Sequence, residues 1–223
     1  KGTAQQDLFG NSVELKRKDF TEQPSLFDTP IDAKNISNTP HEYFLIDTPE
    51  KRKELIDVLL TQPSISFDTE TTGTDANVAE LVGLSFSIKV GEGYYIPIPE
   101  DNATAQSIVE EFRVVFENER IDKIGQNIKY DMLVLKWYDV QVKGKLFDTM
   151  LAHYLIDPDT RHNMDVLSEN YLGYTPISIT TLIGAKGKGQ GTMREVPVEN
   201  VVDYAAEDAD VTLQLAHVFQ PLL

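Results

Sequence analysis

Four carboxylates, one amide and one phenol occur at spacings that could serve catalysis. Asp68 and Glu70 lie two apart in Phe67-Asp68-Thr69-Glu70, at the end of an apolar run from Ser64 that reads as a strand, so both side chains leave one face. Two carboxylates on one half-buried face repel unless a cation sits between them. Asn127 and Asp131 stand four apart in Gly125-Gln126-Asn127-Ile128-Lys129-Tyr130-Asp131, and Tyr204 and Asp208 four apart in Tyr204-Ala205-Ala206-Glu207-Asp208, so each pair shares a helical face. Each segment also has an ordinary reading by itself: a solvated turn for Asp-Thr-Glu, a helix cap for Asn127, and an acidic exposed helix for Tyr204 to Asp208. The chain contains no Cys, so a metal would be held by oxygen or imidazole ligands, and carboxylates are the ready source.

These residues need elements to hold them. A short strand over 43–46 and a helix over 49–60, with Leu55, Ile56, Leu59 and Leu60 at helical spacing, precede three strand runs at 64–68, 81–88 and 94–98. Turn-rich stretches at 72–75 and 91–93 separate those runs, which predicts an antiparallel meander. Helices are expected at 105–118, 128–137, 149–155 (N-capped by Asp148), 164–172 and 198–218, with a short strand at 123–125 and a Lys-Gly loop at 186–191. Meander strands followed by alternating helices and strands describe an α/β fold: a mixed sheet with antiparallel opening strands flanked by helices, the ribonuclease-H-like plan. Residues 1–40 carry scattered Pro and charge without a sustained period and read as a flexible arm, leaving 41–223 as the folded domain.

Composition narrows the classes. The 223 residues are 41% hydrophobic, enough for one sizeable core, with no apolar run approaching ~18 residues and no signal-like N-terminus. A soluble, cytoplasmic protein with no membrane partner is expected. The net charge of −16 opposes gripping nucleic acid by Lys and Arg alone. Bound cations would reverse that sign locally, and tethering to a larger protein would lessen the affinity required. No Ser-His-Asp, phosphate-loop or dinucleotide signature offers a rival chemistry.

Taken together and in order, Phe67-Asp68-Thr69-Glu70, Asn127 with Asp131, and Tyr204 with Asp208 resemble the three exonuclease motifs of the DEDD superfamily in its tyrosine subtype. Phe147-Asp148-Thr149-Met150-Leu151, Arg161-His162-Asn163-Met164-Asp165, Lys186-Gly187-Lys188 and Tyr204 to Leu215 are similar to the 3′–5′ proofreading domain of bacterial family A DNA polymerases (DNA polymerase I), over roughly 43–223. The resemblance implies two divalent ions, Mg²⁺ or Mn²⁺, with Asp68, Glu70 and Asp208 holding one, Asp68 also touching the second, and Asp131 reaching that second ion through water. Tyr204 and Glu70 would orient the attacking water at a single-stranded or frayed DNA 3′ end, releasing 5′-mononucleotides. Gln126 and Asn127 would hold the last nucleotides, or act as turn and cap residues. Arg161, Lys186, Lys188 and Arg194 would contact the DNA backbone, or be solvated charges. Thr74 stands where the family often places a leucine wedge.

The resemblance also implies a C-terminal polymerase domain as partner and a place at the bacterial nucleoid. Two further readings compete: a ribonuclease-D-like RNA exonuclease, and an idle scaffold. Gln5-Gln6-Asp7-Leu8-Phe9 and Gln23-Pro24-Ser25-Leu26-Phe27 resemble the peptides that replication proteins insert into a sliding clamp.

Overall fold

A computed structural model describes residues 33–223; the Leu-Phe peptides at Gln5–Phe9 and Gln23–Phe27, and most of the expected arm, lie outside the described residues. Six strands form one sheet: β1 (Glu42–Leu45), β2 (Ser64–Thr71), β3 (Leu81–Lys89), β4 (Glu92–Pro97), β5 (Asp122–Gly125) and β6 (Leu146–Asp148), in the order β1-β4-β3-β2-β5-β6. The pairs β2–β3 and β3–β4 are antiparallel, as the turn-rich connections require, whereas β1–β4, β2–β5 and β5–β6 are parallel. Parallel pairs need crossovers. Helix α2 (Asn102–Phe116) links β4 to β5, and α3 (Lys129–Lys136) links β5 to β6. The remaining helices are α1 (Pro49–Leu59), α4 (Thr149–Ile156), α5 (Met164–Leu172), α6 (Ile179–Ile183) and α7 (Val198–Phe219). This is the mixed, helix-flanked plan expected from the sequence. None of the described helices is long and apolar enough to cross a membrane.

Local signals account for where helices start. Thr48 accepts from the Lys51 amide ahead of Pro49, Asp101 accepts from Thr104 N at 2.8 Å, and Asp148 accepts from Met150 N at 2.9 Å. Two elements are absent from the sequence reading, β6 and α6. With three and five residues they are too short to show a period.

The two faces of the sheet differ in side-chain size. On one, Ile65, Phe67, Leu84, Phe86 and Ile96 pack with Leu55 and Leu59 of α1 and Val109, Phe112 and Phe116 of α2. Full burial of each such side chain is worth ~1.5–3 kcal/mol. Phe67 meets Phe116 edge-on with centroids 5.2 Å apart. By strand alternation the other face carries Ser66, Asp68 and Glu70 of β2, Gly83, Ser85 and Ser87 of β3, and Gly93 and Tyr95 of β4. Helix α7 covers that face and is Ala-rich where it is buried, at Ala205, Ala206 and Ala209.

Small residues on both sides let helix and sheet approach closely. A Cβ added at Gly93 would lie 2.6 Å from the Ala206 carbonyl oxygen and 2.8 Å from its Cβ, and at Gly83 it would lie 2.2 Å from the Tyr95 ring. Gly93→Ala is therefore expected to lower unfolding free energy by ~1–3 kcal/mol in urea titration. Gly73→Ala, with nothing within 4 Å, should stay within about 0.5 kcal/mol of the unsubstituted protein.

Candidate active site

Strand β2 and helices α3 and α7 bring the carboxylates together. Strand β2 runs on to Thr71, so Asp68 and Glu70 lie inside the strand rather than at its end, opposite Ser85 and Gly83 of β3. Asp208 comes down from α7, and one carboxylate oxygen each from Asp68, Glu70 and Asp208 lies within 4.8 Å of the others. Asp131, on α3, lines the same cleft outside that triplet; its Oδ1 accepts from the Thr69 amide at 3.1 Å and the Thr69 hydroxyl at 2.6 Å. Thr69 points the opposite way along β2, so one strand presents two carboxylates on one face and anchors a third from the other. The cleft has a volume of about 530 Å³ and is also lined by Tyr204, Thr74, Gln126, Asn127 and Tyr130.

The electrostatics call for a cation. Burial pushes the Asp68 carboxyl up to about 7. Burial, with the neighbouring charges of Asp68 and Asp131, holds Glu70 well above the carboxylate range, and burial with Asp68 and Glu70 does the same to Asp208. Asp131 is raised by burial and by Asp68. No Lys or Arg forms an ion pair with any of the four among the described residues. Glu70 Oε1 and Asp208 Oδ1 are buried without a hydrogen-bond partner. Orphaned, mutually repelling carboxylate oxygens within ligand reach of one another are the donor set that a hard divalent ion takes, so the residues present fit the metal. The Tyr204 phenol is raised by burial and then by Asp208, Glu70 and Asp68, and so stays protonated.

The other sequence-predicted residues divide. Thr74 is exposed and lines the cleft, as do Gln126 and Asn127. The Gln126 amide is engaged at both ends, donating to the His162 carbonyl at 2.7 Å and accepting from the Thr149 hydroxyl, so it braces the wall. Of the structural alternatives for Asn127, the turn holds and the cap does not: Ile128 is the N-cap of α3, with no side-chain cap bond, and Asn127 makes a left-handed turn with φ 57°. Asp148 holds that turn, accepting from Asn127 N at 3.0 Å and Ile128 N at 3.1 Å while it caps α4. Arg161, Lys186 and Lys188 are exposed and do not line the cleft. Arg194 is placed elsewhere: its guanidinium donates to the carbonyls of Ile98 and of Leu81, the latter at 2.7 Å, tying β3 to the end of β4. Sequence reasoning missed Tyr130, Met150, Asn163, Met164 and Ile179 in the cleft lining. Tyr130 lay within a quoted motif, whereas Ile179 sits on a helix too short to have shown itself.

With this geometry in hand, comparison with known proteins is informative. The sequence profile described as "3′-5′ exonuclease" matches residues 43–223. DNA polymerase I of Pseudomonas aeruginosa is 39% identical over 160 residues, covering 68% of this chain and 17% of that protein; its counterpart in Rhizobium leguminosarum is 37% identical over 183 residues, covering 71% and 18%. The chain thus spans about a fifth of the length of these curated relatives. Among solved structures, Brucella melitensis NrnC superposes with TM-score 0.62 at 21% identity, covering 82% of this chain and 81% of its own, and has also been solved with bound Mg²⁺ and with pGG. Trypanosoma brucei RNase D in complex with RNA U12 superposes with TM-score 0.65 at 18% identity, covering 80% and 62%.

The raised carboxyls make stability depend on pH. A group whose folded pKa lies above its unfolded value contributes stability below the unfolded value and loses it as pH rises through the folded one. Metal-free protein should therefore lose stability from about pH 4 through the Asp68 value of about 7 and beyond, with Mg²⁺ restoring it. Thermal melts should show a larger Mg²⁺-induced rise at pH 8 than at pH 5.5. Asp208→Asn should raise the metal-free melting temperature at pH 8, because it removes a buried, repelled charge, and abolish most of the Mg²⁺ gain. A metal-free Asp208→Asn protein melting below the unsubstituted one at pH 8 would contradict this.

Proposed function

The chain belongs to the 3′–5′ exonuclease family, as a metal-dependent, phosphodiester-hydrolysing enzyme of the DEDD superfamily, and on that premise we propose that it trims single-stranded or frayed DNA 3′ ends as a proofreading domain of the tyrosine subtype. The observation that carries the chemistry is the cluster of Asp68, Glu70 and Asp208, with oxygens within 4.8 Å of one another and two of them, Glu70 Oε1 and Asp208 Oδ1, buried without a partner, beside a protonated phenol. Asp68, Glu70 and Asp208 would hold one divalent ion, and Asp68 would share a second with Asp131. Thr69 occupies Asp131 Oδ1, which suits a water-mediated role. When bound, the ions neutralise the scissile phosphate and acidify the attacking water. The neutral Tyr204 hydroxyl is hydrogen-bonded to Asp208 in the metal-free site, and with the ions bound it would turn that donor to the water and, with Glu70, orient it in line with the 3′ oxygen. On this reading a paired end must first fray to bring its last nucleotide to the carboxylates, which a mismatch makes cheaper. The products are 5′-mononucleotides.

The DNA reading is supported by sequence, since the curated relatives at 37% and 39% identity are DNA polymerases I. A polymerase domain following this one, and delivery of DNA by that tether, belong to the same proposal. A second reading, a ribonuclease-D-like exonuclease acting on RNA or short oligonucleotides, draws its support from the solved structures, which as a group stand nearer to it than to proofreading. Their identity of 18–21% carries the fold, and the choice of sugar falls to experiment.

Hydrolysis of a 5′-labelled DNA oligonucleotide beside its RNA counterpart in Mg²⁺ or Mn²⁺ separates the readings. A DNA ladder shortening from the 3′ end supports proofreading, and faster loss of RNA supports the second reading. Asp68→Ala and Asp208→Ala should fall to the detection limit and lose metal binding. Tyr204→Phe should bind metal normally and cut ~10–100-fold more slowly. Wild-type rates in all three variants would refute the assignment.

A further inference from the structure

We propose that the exposed face of α3 beside the cleft is a stacking platform for the strand upstream of the scissile nucleotide, with a base on Trp137 and phosphates at Lys129 and Lys136. The proposal rests on the exonuclease reading of the cleft and extends it to how the rest of the strand is held. Helix α3 already supplies Tyr130 and Asp131 to the cleft. Trp137 follows Tyr130 by seven residues, which returns it to the same side of the helix about 10 Å along the axis. A strand with its 3′ end in the cleft and its body along α3 meets that side chain within its first few nucleotides.

Trp137 is the chain's one tryptophan, and it is 65% exposed, so its ring is open to a partner. It is also held in place. Its ring N–H donates to the Ala76 carbonyl at 3.0 Å, while the Tyr130 hydroxyl contacts the Thr71 hydroxyl at 2.7 Å and donates to the Gly73 carbonyl, so both rings grip the loop that carries Thr74. The indole is thus pre-oriented rather than free to rotate, which lowers the entropy lost when a base stacks on it.

Charge identifies the partner. Lys129 and Lys136 are exposed and form no ion pair among the described residues; Arg120, Lys145, Arg161, Lys186 and Lys188 share that property, and what sets these two apart is their place on the helix that carries Tyr130 and Asp131. The loop's own carboxylate, Asp75, accepts from the Asn77 amide at 3.0 Å. Cations on the adjoining side of the helix, roughly a quarter turn round the axis from the fixed indole, match the two needs of a single strand that wraps it, backbone neutralisation and a π-surface for any base. An apolar protein partner would favour the indole but not the bare ammonium groups around it.

The test uses intrinsic fluorescence, since every tryptophan photon comes from Trp137. Oligothymidylates with hydrolysis-resistant phosphorothioate linkages are titrated into the whole chain in Mg²⁺. An octanucleotide should quench strongly and a dinucleotide weakly. Trp137→Ala should weaken octanucleotide binding about tenfold and the dinucleotide far less, and Trp137→Phe, which keeps a ring but not the N–H, should recover most of the loss. Exchanging Lys129 and Lys136 together for Gln should reduce the slope of log affinity against log salt by ~1.4. Absence of quenching by the octanucleotide overturns the platform. So do equal losses in the Ala and Phe variants at both lengths, since the indole would then only anchor the loop. Hydrolysis of ordinary oligonucleotides is followed in parallel: turnover without quenching removes the platform and leaves the exonuclease reading, whereas quenching without turnover does the reverse.

Discussion

The closeness of α7 to the sheet is the constraint on which the rest depends. Glycine and serine on β2, β3 and β4 face alanine on α7, and the Gly93 backbone lies so near Ala206 that no side chain fits between them. That approach lowers Asp208 onto Asp68 and Glu70, burying Asp208 and Glu70 and leaving Asp68 partly open to the cleft. Tight packing and charge repulsion therefore act against each other at one place. The packing is favourable over the whole length of the helix, while the repulsion is concentrated in a few oxygens that a cation can satisfy.

Around this core the support is built from backbone amides and neutral side chains. Asp148 accepts from the amides of the β5–α3 turn and of the first turn of α4, which sets the direction in which Asn127 and then Asp131 are presented. Gln126 bridges Thr149 and the His162 carbonyl, closing the wall between α4 and the start of α5. Neutral braces suit a site whose charges must remain available for metal and phosphate, since a Lys or Arg placed there would compete for the same carboxylates.

Much of this was legible in the sequence, and the remainder was hidden for physical reasons. The period-2 spacing of Asp68 and Glu70 and the i, i+4 spacing of Tyr204 and Asp208 locate the site because secondary structure alone puts those pairs on common faces. The meander followed by alternating elements foreshadowed the mixed, helix-flanked sheet, though not the order of its strands. Asp131 was chosen correctly as a cleft residue, but its bond to Thr69 depends on two elements 62 residues apart, which no local pattern encodes. Arg194 misled for a similar reason: a basic residue beside a Lys-Gly loop looks solvated until the fold brings two strand-end carbonyls to it. Asn127 looked like a cap because its side chain suits one, whereas a left-handed backbone was what its position demanded.

The grip of Tyr130 and Trp137 on the loop around Thr74 has a mechanical consequence. The helix that carries Asp131 and the wall that a terminal base would meet are joined as one part. Any displacement of the helix would therefore move wall and carboxylate together.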